Sequence, residues 1–232
     1  MCDHTGEVRI DKVVGNDGKN DGKVYVIKTK EKEFRSEDDR DPVPGAGLSD
    51  KAYKETKDFI KDNSGNTAEF DANPSIYNNT IEIEGSQENR QAMMNEMNKD
   101  NGKGGKSDAN NKEYSVTGNQ GVQVQEPGPI SSPKFKEIPT STVMSDGTQS
   151  FAHSHPSGSI VETTGSQPGT TSFGSASMTS TWNYRQPPSP WDVEHARTTN
   201  YVFGMRNGIV YIYNSKGVQA TMPMKNFVNF KK

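Results

Sequence analysis

The segment at positions 201–222, YVFGMRNGIVYIYNSKGVQATM, decides the fold, because three short apolar runs alternate in it with two turn signals. Asn207-Gly208 separates the first two runs, and an Asn-Gly pair between apolar runs is a strong signal for a tight hairpin. The tetrapeptide Asn-Ser-Lys-Gly separates the second run from the third. We therefore predict three antiparallel strands in a meander, and we expect this meander to supply the main part of the core.

Shorter strand and helix signals precede the meander. Runs of apolar and β-branched residues predict strands at positions 24–27, 80–83, 113–117, 121–124 and 150–155. Apolar residues at helical spacing predict two helices, from Ser49 to about residue 60 and from Ser86 to about Met97. This order predicts a mixed α/β protein of the α+β type, with a mostly antiparallel sheet flanked by helices and with long polar loops.

The composition is polar but nearly balanced in charge. Leu, Ile, Val and Phe together account for 37 of the 232 residues, and the formal net charge is -3. A low apolar fraction signals disorder mainly when the net charge is high, so we expect a modest core wrapped in polar loops. A pI near 5.9 without a Lys/Arg cluster argues against nucleic acid or an anionic membrane as the main partner. No segment has the apolar length of a membrane span.

A polar linker divides the chain by composition. Positions 98–112 are rich in Asn, Gly, Lys and Asp and predict a loop. We therefore predict an N-terminal polar region at 1–108, with short strands and two helices, which either stands alone or packs on the core. The second predicted domain is 109–232. Within it, positions 157–181 contain 17 Gly, Ser or Thr residues and one charge, which predicts a flexible insertion at about 157–187.

Two histidines two positions apart are the first candidates for a functional site. His153-Ser-His155 lies on a predicted strand, where alternate side chains point to the same face, so one metal ion can be shared by both imidazoles. Zinc catalysis requires about three protein ligands and an open position for water. Downstream, Ser189 and Asp192 open a predicted short helix at 189–196, with proline at its first position. An acidic residue in the first turn is also explained by the helix dipole alone.

His-Ser-His-Pro followed by Ser-x-x-Asp resembles the signature of the JAMM (JAB/MPN) zinc metallopeptidases. The resemblance covers roughly residues 109–232 and implies a fold like that of JAMM proteins and cytidine deaminases. It implies that His153, His155 and Asp192 bind Zn²⁺ and that the Ser189 hydroxyl steadies the oxyanion during hydrolysis of a peptide or isopeptide bond. One departure is that Asp192 follows His155 by 37 positions, a longer interval than is usual in the family. The Gly/Ser/Thr-rich insertion accounts for the excess at little cost in loop-closure entropy.

The family also uses an upstream glutamate as general acid and base, and three residues are candidates for it. Glu113 opens the predicted strand at 113–117 and fits the family context best. Glu126 precedes a Pro-Gly pair and is predicted to lie in a loop. Glu137 stands beside Ile-Pro, close in sequence to the two histidines. The simple alternative for Glu113 is a solvated carboxylate at the end of a strand.

The C-terminal strands also resemble the JAB-like C-terminal domains of bacterial polymorphic (Rhs-associated) toxins. This resemblance implies an effector domain that is secreted or delivered into target cells as part of a larger protein. It implies a protein or peptide substrate and a cognate immunity protein as partner. The N-terminus, Met-Cys-Asp-His, shows no signal-peptide pattern, and the single cysteine, Cys2, excludes a cysteine-rich zinc module. The alternative function is a catalytically inactive JAMM-like binding module.

Overall fold

The computed structural model describes residues 15–19, 23–30, 45, 47–117, 123–129, 151–164 and 178–229. The strands within these residues are β1 (Val24–Ile27), β2 (Thr80–Ile83), β3 (Lys112–Thr117), β4 (Gln123–Pro129), β5 (Phe151–His155), β6 (Ser159–Thr164), β7 (Met178–Asn183), β8 (Asn200–Gly204), β9 (Ile209–Asn214) and β10 (Gly217–Pro223). The helices are α1 (Asp50–Asp62), α2 (Thr67–Ala72), α3 (Gln87–Met97) and α4 (Pro190–His195). Short 3-10 turns occupy Pro74–Asn79, Asp108–Asn110 and Met224–Asn226.

Six strands form the main sheet, in the order β10-β9-β8-β5-β3-β4. Its neighbouring strands are antiparallel except for β5 and β8, which run parallel. Two parallel strands need a crossover connection, and the connection from β5 to β8 contains β6, β7 and α4. The prediction of a mixed α/β protein with a mostly antiparallel sheet and flanking helices is confirmed.

The C-terminal meander forms as the sequence predicts, from β8, β9 and β10. At the first turn, the side-chain oxygen of Asn207 accepts a hydrogen bond from the N–H of Ile209 at 3.1 Å. Gly208 adopts a φ of 69°, a left-handed conformation that glycine reaches without steric cost. Every residue of β8 is buried. The meander therefore contributes the central strand of the core as well as one edge of the sheet.

The two faces of the main sheet carry different layers. On one face, the methionines of α3 join Val116 and Ala152 in a hydrophobic cluster that continues across the C-terminal strands. On the other face, α4 packs against Val202. Because side chains alternate between faces along a strand, His153 and His155 lie on the face that α4 covers.

Each predicted helix begins at the serine that the sequence indicates. Ser49, Ser86 and Ser189 are the N-caps of α1, α3 and α4, and each side chain accepts a hydrogen bond from the N–H three residues further on. Such caps satisfy a backbone donor that the helix itself leaves unpaired. The longest described helix, α1, has 13 residues, and no helix in the described part of the chain is long and apolar enough to cross a membrane.

The N-terminal strands β1 and β2 form a separate antiparallel pair that adjoins the edge strand β10. The N–H of Thr29 donates to the carbonyl of Gln219, and the N–H of Thr221 donates to the hydroxyl of Thr29. Apolar side chains of both strands belong to the same hydrophobic cluster as the main sheet. The division into 1–108 and 109–232 remains a prediction, and described residues on both sides of it share this core.

The described ends of the Gly/Ser/Thr-rich insertion form strands, where the sequence predicts only a flexible excursion over 157–181. β6 and β7 pair in antiparallel register along their whole length, from Ser159 opposite Asn183 to Thr164 opposite Met178. The physical reason is that both ends are rich in β-branched residues, which favour strands. Residues 165–177, in the middle of the insertion, lie outside the described residues.

β4 is longer than the strand predicted at 121–124. It continues to Pro129 and contains Glu126, so the prediction of a loop at Glu126 is wrong. The two prolines at the end of β4 are tolerated because β4 is the edge strand of the main sheet. On an edge strand, only the N–H groups that point toward the single neighbouring strand belong to the ladder, so a proline can replace one that points away.

A buried carboxylate fixes the loop that follows β5. Asp100 accepts hydrogen bonds from the Ser157 hydroxyl at 2.5 Å, the Ser157 N–H at 3.0 Å and the Gly102 N–H at 2.8 Å. The Arg206 guanidinium donates to the carbonyls of Ser157 and Gly158. The pair Asp100–Ser157, called the clasp below, therefore ties the polar linker to the residues directly after the two histidines.

We expect Asp100→Asn to lower the free energy of unfolding by about 1–3 kcal/mol. The amide keeps one acceptor oxygen but presents donor hydrogens to Ser157, whose N–H and hydroxyl both donate there. Urea titration followed by circular dichroism measures the change. Asp71→Asn is the matched control, because Asp71 pairs with Lys19 on the surface, and such pairs contribute about 1 kcal/mol at most. Equal losses in the two variants would contradict a structural role for the clasp.

Candidate metal centre

β5 carries the two histidines into the interior of the protein. The residues His153 and His155 are 4% and 1% exposed, and their Nε2 atoms lie 3.2 Å apart. The ring of Phe151 stacks on that of His153, with a centroid separation of 5.1 Å. Because the two nitrogens are both buried and this close, they can share a proton or a cation.

Glu113 reaches the histidines from the neighbouring strand β3. Ser115 pairs with His153 in antiparallel register. Glu113 stands two residues before Ser115 and His155 two residues after His153, so both lie just beyond the same end of the paired segment. The Oε1 atom of Glu113 lies 3.8 Å from Nε2 of His155, and the Glu113 side chain is buried. The pairing of β3 with β4 shifts register between Glu113 and Ser115, and bulges of this kind often set the direction of a side chain at a functional site.

Asp192 lies at the start of α4, near the end of the connection from β5 to β8, and its carboxylate approaches the two histidines. Ser189 and Asp192 form a capping box, in which Oδ2 of Asp192 accepts from both the N–H and the hydroxyl of Ser189 at 2.7 Å. Oδ1 of Asp192 lies 3.4 Å from Nε2 of His153, and Oδ2 lies 3.8 Å from Nε2 of His155. The start of the helix therefore orients the carboxylate toward the two imidazoles.

The buried carboxylate of Asp192 is stabilised in its charged form. Burial acts to raise the pKa of Asp192, but the charge and hydrogen bond of His153, the charge of His155 and the hydrogen bond from Ser189 together outweigh it. The pKa of Asp192 is held well below its usual range. A charged carboxylate in the interior requires compensation by an opposite charge. Protonated imidazoles or a cation bound among the same groups can provide that charge.

The spacing of these side chains fits a metal centre. Ligand atoms of Glu113, His153 and His155 all lie within 4.8 Å of one another. Ligands that share a tetrahedral ion at about 2.0–2.2 Å are separated by roughly 3.3–3.6 Å. Nε2 of His153 lies 3.2 Å from Nε2 of His155 and 3.4 Å from Asp192. Nε2 of His155 lies 3.8 Å from both Glu113 and Asp192, and these distances are close to that range. The buried Glu113, His153 and His155 are therefore close enough to bind a metal ion.

The structure brings together the four side chains that the sequence proposed as ligands and base, namely Glu113, His153, His155 and Asp192. Ser189 lies beside this group, bonded to its aspartate. Of the alternatives for the upstream glutamate, Glu126 lies on β4 and Glu137 lies outside the described residues. His195 lies on the exposed side of α4, where its ring stacks on Trp191 at 4.2 Å.

Two buried residues beside the loop that follows β5 are absent from the sequence prediction. Tyr184 follows β7 and is buried; burial raises the pKa of its hydroxyl, and the charge of Glu113 raises it further. Asp100, in the clasp, holds the loop after β5. Neither residue carries a signal in the sequence, because Tyr184 follows a Gly/Ser/Thr-rich stretch and Asp100 lies in a polar linker.

The sequence matches no protein-family model, and neither a curated protein nor a solved structure is detectably similar to the chain. The assignment to the JAMM family therefore rests on the motif residues and remains a proposal. The geometry of the cluster stands independently of that assignment.

We expect Ser189→Ala to lower both the stability of the protein and its affinity for a divalent metal. Loss of an N-cap side chain costs about 0.5–2 kcal/mol, and Asp192 loses the hydroxyl that helps to orient it. Ser49→Ala is the matched control, because Ser49 caps α1 through the same type of hydrogen bond. Chemical denaturation of the metal-free protein and metal titration by calorimetry measure the two effects. Unchanged metal affinity in Ser189→Ala would contradict the orienting role of the capping box.

Proposed function

We propose that this protein is a zinc-dependent peptidase or isopeptidase of the JAMM type. The observation that carries the proposal is the buried cluster of two imidazoles with carboxylates from two different elements of the fold. A catalytic zinc site uses about three protein ligands and leaves one position for water. The cluster contains two imidazoles and two carboxylates. If three of these groups bind the metal, one carboxylate remains for proton transfer.

The donor set favours zinc over calcium and magnesium. Two imidazole nitrogens with carboxylate oxygens suit zinc, whereas calcium and magnesium prefer sites made of oxygen ligands alone. When bound here, zinc would lower the pKa of a water molecule and polarise the carbonyl group of a substrate. The site would therefore provide a nucleophile at neutral pH.

The side chains of the cluster take separate roles in this proposal. His153, His155 and Asp192 are the ligands, since the capping box orients Asp192 toward both imidazoles. Glu113 is the general base: its carboxylate accepts the proton of the attacking water and passes it to the leaving nitrogen as the C–N bond breaks. Because all four groups are buried, bulk water is largely excluded and their electrostatic interactions are strengthened.

A second function is favoured by the position of Glu113 itself. Its Oε1 atom is close enough to the imidazole nitrogens to bind the metal directly. If Glu113 is a ligand together with Asp192, no carboxylate remains to accept a proton. The domain would then be a catalytically inactive, JAMM-like binding module, and the metal would only stabilise its fold.

Variants of the cluster distinguish the two functions. We expect the wild-type chain to retain about one zinc ion per molecule after dialysis, and His153→Ala and Asp192→Ala to lose it. Glu113→Gln is expected to retain zinc and to lose hydrolysis by at least about 100-fold, the typical contribution of general acid–base catalysis. Metal content is measured by mass spectrometry. Hydrolysis is measured on a degenerate fluorogenic peptide library and on a lysine-linked isopeptide substrate.

Glu96→Gln is the matched control for the glutamate variant. Glu96 is also buried, but it lies on α3 and pairs with Lys99, so its substitution tests the effect of removing any buried carboxylate. Undiminished zinc in both His153→Ala and Asp192→Ala would overturn the site. Loss of zinc in Glu113→Gln would favour the binding module over the peptidase.

We further propose that the domain acts as an effector of a bacterial secreted protein. This step is supported only by the resemblance of the C-terminal strands to JAB-like toxin domains. In that setting the chain is delivered into target cells as part of a larger protein, and a cognate immunity protein covers its site. The substrate is then a protein of the target cell.

Expression of the wild-type chain in the bacterial cytoplasm, without a protecting partner, is expected to slow growth. His153→Ala should remove the effect, because the toxicity of a zinc peptidase depends on its ligands. Growth curves under induction, with protein levels matched by immunoblot, measure the difference. Equal growth of the two strains would contradict the effector role. It would not bear on whether the cluster binds a metal.

A further inference from the structure

Phe151 opens β5 two positions before His153 and lies on the same face of the main sheet. Alternate side chains of a strand point to one face, so Phe151 shares its face with both histidines of the cluster. Its ring stacks on that of His153, with a centroid separation of 5.1 Å and an angle of 23° between the ring planes. Offset stacks of this kind are a favoured arrangement of aromatic rings. An aromatic side chain is therefore in direct contact with a proposed metal ligand.

The plane of the His153 ring has to be fixed by its neighbours, because the torsion that rotates a histidine ring has only broad energy minima. Rotation of the ring moves Nε2, which lies 3.2 Å from Nε2 of His155 and 3.4 Å from Oδ1 of Asp192. The nearly parallel phenyl ring of Phe151 restricts this rotation, since a large turn would drive the edge of the imidazole into the phenyl face. The stack therefore limits where the Nε2 atom of His153 can lie.

The separation of the two Nε2 atoms fits a tetrahedral ion. With metal–nitrogen bonds of about 2.0–2.1 Å, two nitrogens 3.2 Å apart subtend an angle of about 100–105° at the ion. Square-planar and octahedral ions require an angle of about 90°, which corresponds to a separation of about 2.9 Å. A rotation of the His153 ring changes this separation directly, so the group that restricts the rotation also affects the geometry at the metal.

Phe151 is itself held at the start of β5. Its N–H donates to Oδ1 of the buried Asn200 at 2.9 Å, and its backbone pairs with Thr117 of β3. Phe151 is partly exposed whereas His153 is buried, so the phenyl group contributes to the cover of the imidazole. The face of an aromatic ring also attracts a cation. A metal-bound imidazole carries part of the charge of the ion, and the contact therefore favours the metal-bound state.

We propose that Phe151 is a positioning residue, which fixes the imidazole of His153 for metal binding through the stacked contact between the two rings. The inference rests on the proposed function, because it takes His153 as a metal ligand. The phenyl group neither binds the ion nor transfers a proton, and it acts only through His153. Loss of the ring therefore changes the affinity for the metal and the geometry around it, while the fold is retained.

The test compares Phe151→Leu and Phe151→Tyr with the wild-type chain. Leucine keeps an apolar side chain without a ring face, whereas tyrosine keeps the stack. Competition with a chelator measures the affinity for Zn²⁺, and we expect Phe151→Leu to bind at least about 10-fold more weakly, the typical effect of losing a residue that orients a metal ligand. Visible absorption of bound Co²⁺ reports its coordination geometry. We expect the Co²⁺ spectrum to change in Phe151→Leu and to stay the same in Phe151→Tyr.

Phe59→Leu is the matched control, because Phe59 is also partly exposed and its ring packs against that of Phe70, at 5.3 Å and outside the cluster. With chelator present it should lower the Tm about as much as Phe151→Leu does, but its Zn²⁺ affinity and Co²⁺ spectrum should match the wild type. Unchanged affinity and spectrum in Phe151→Leu, or equal losses in Phe151→Tyr or Phe59→Leu, would overturn the inference alone. A wild-type chain that binds neither ion would overturn the proposed function and this inference with it.

Discussion

Two carboxylates and two imidazoles are buried together on the face of the main sheet that α4 covers, and their electrostatics constrain everything around them. Carboxylates in a low-dielectric interior repel one another unless positive charge lies between them. Protonated imidazoles or a bound cation can supply that charge. If one group moved away, the others would be left with uncompensated buried charge, so each has to be fixed by the backbone that carries it.

The fold meets this requirement with a different device for each group. The histidines lie on β5, which has neighbours on both sides in the sheet, and Glu113 is held on β3 by the pairing of its backbone with Gly128 of β4. Asp192 is oriented by the capping box at the start of α4. The clasp between Asp100 and Ser157 then secures the loop that leaves β5. Three of these devices are backbone pairings or caps, which change little when side chains elsewhere move.

Local signals account for what the sequence predicts correctly. The Asn-Gly turn, the serine caps and the two histidines on one strand are each read within a few neighbouring residues, and the structure has all of them. The unpredicted features are long-range or lack a pattern. Pairing of β6 with β7 joins residues about twenty positions apart inside a Gly/Ser/Thr-rich stretch, the clasp joins residues 57 positions apart, and Tyr184 gains its surroundings only from tertiary packing. Glu126 and two prolines lie in β4, which is an edge strand of the main sheet. The order of strands that makes β4 an edge cannot be predicted from composition.

The parallel pairing of β5 with β8 has a consequence for how the site is assembled during folding. A parallel pair forms only after the whole crossover between its strands has closed, and contacts of such long sequence separation form slowly. Asp192 lies on that crossover, so the histidines acquire their aspartate only when the pair closes. A metal-binding signal recorded during refolding would thus follow the closure of the central sheet, and a segment containing β5 alone would present two imidazoles without the carboxylate that completes the cluster.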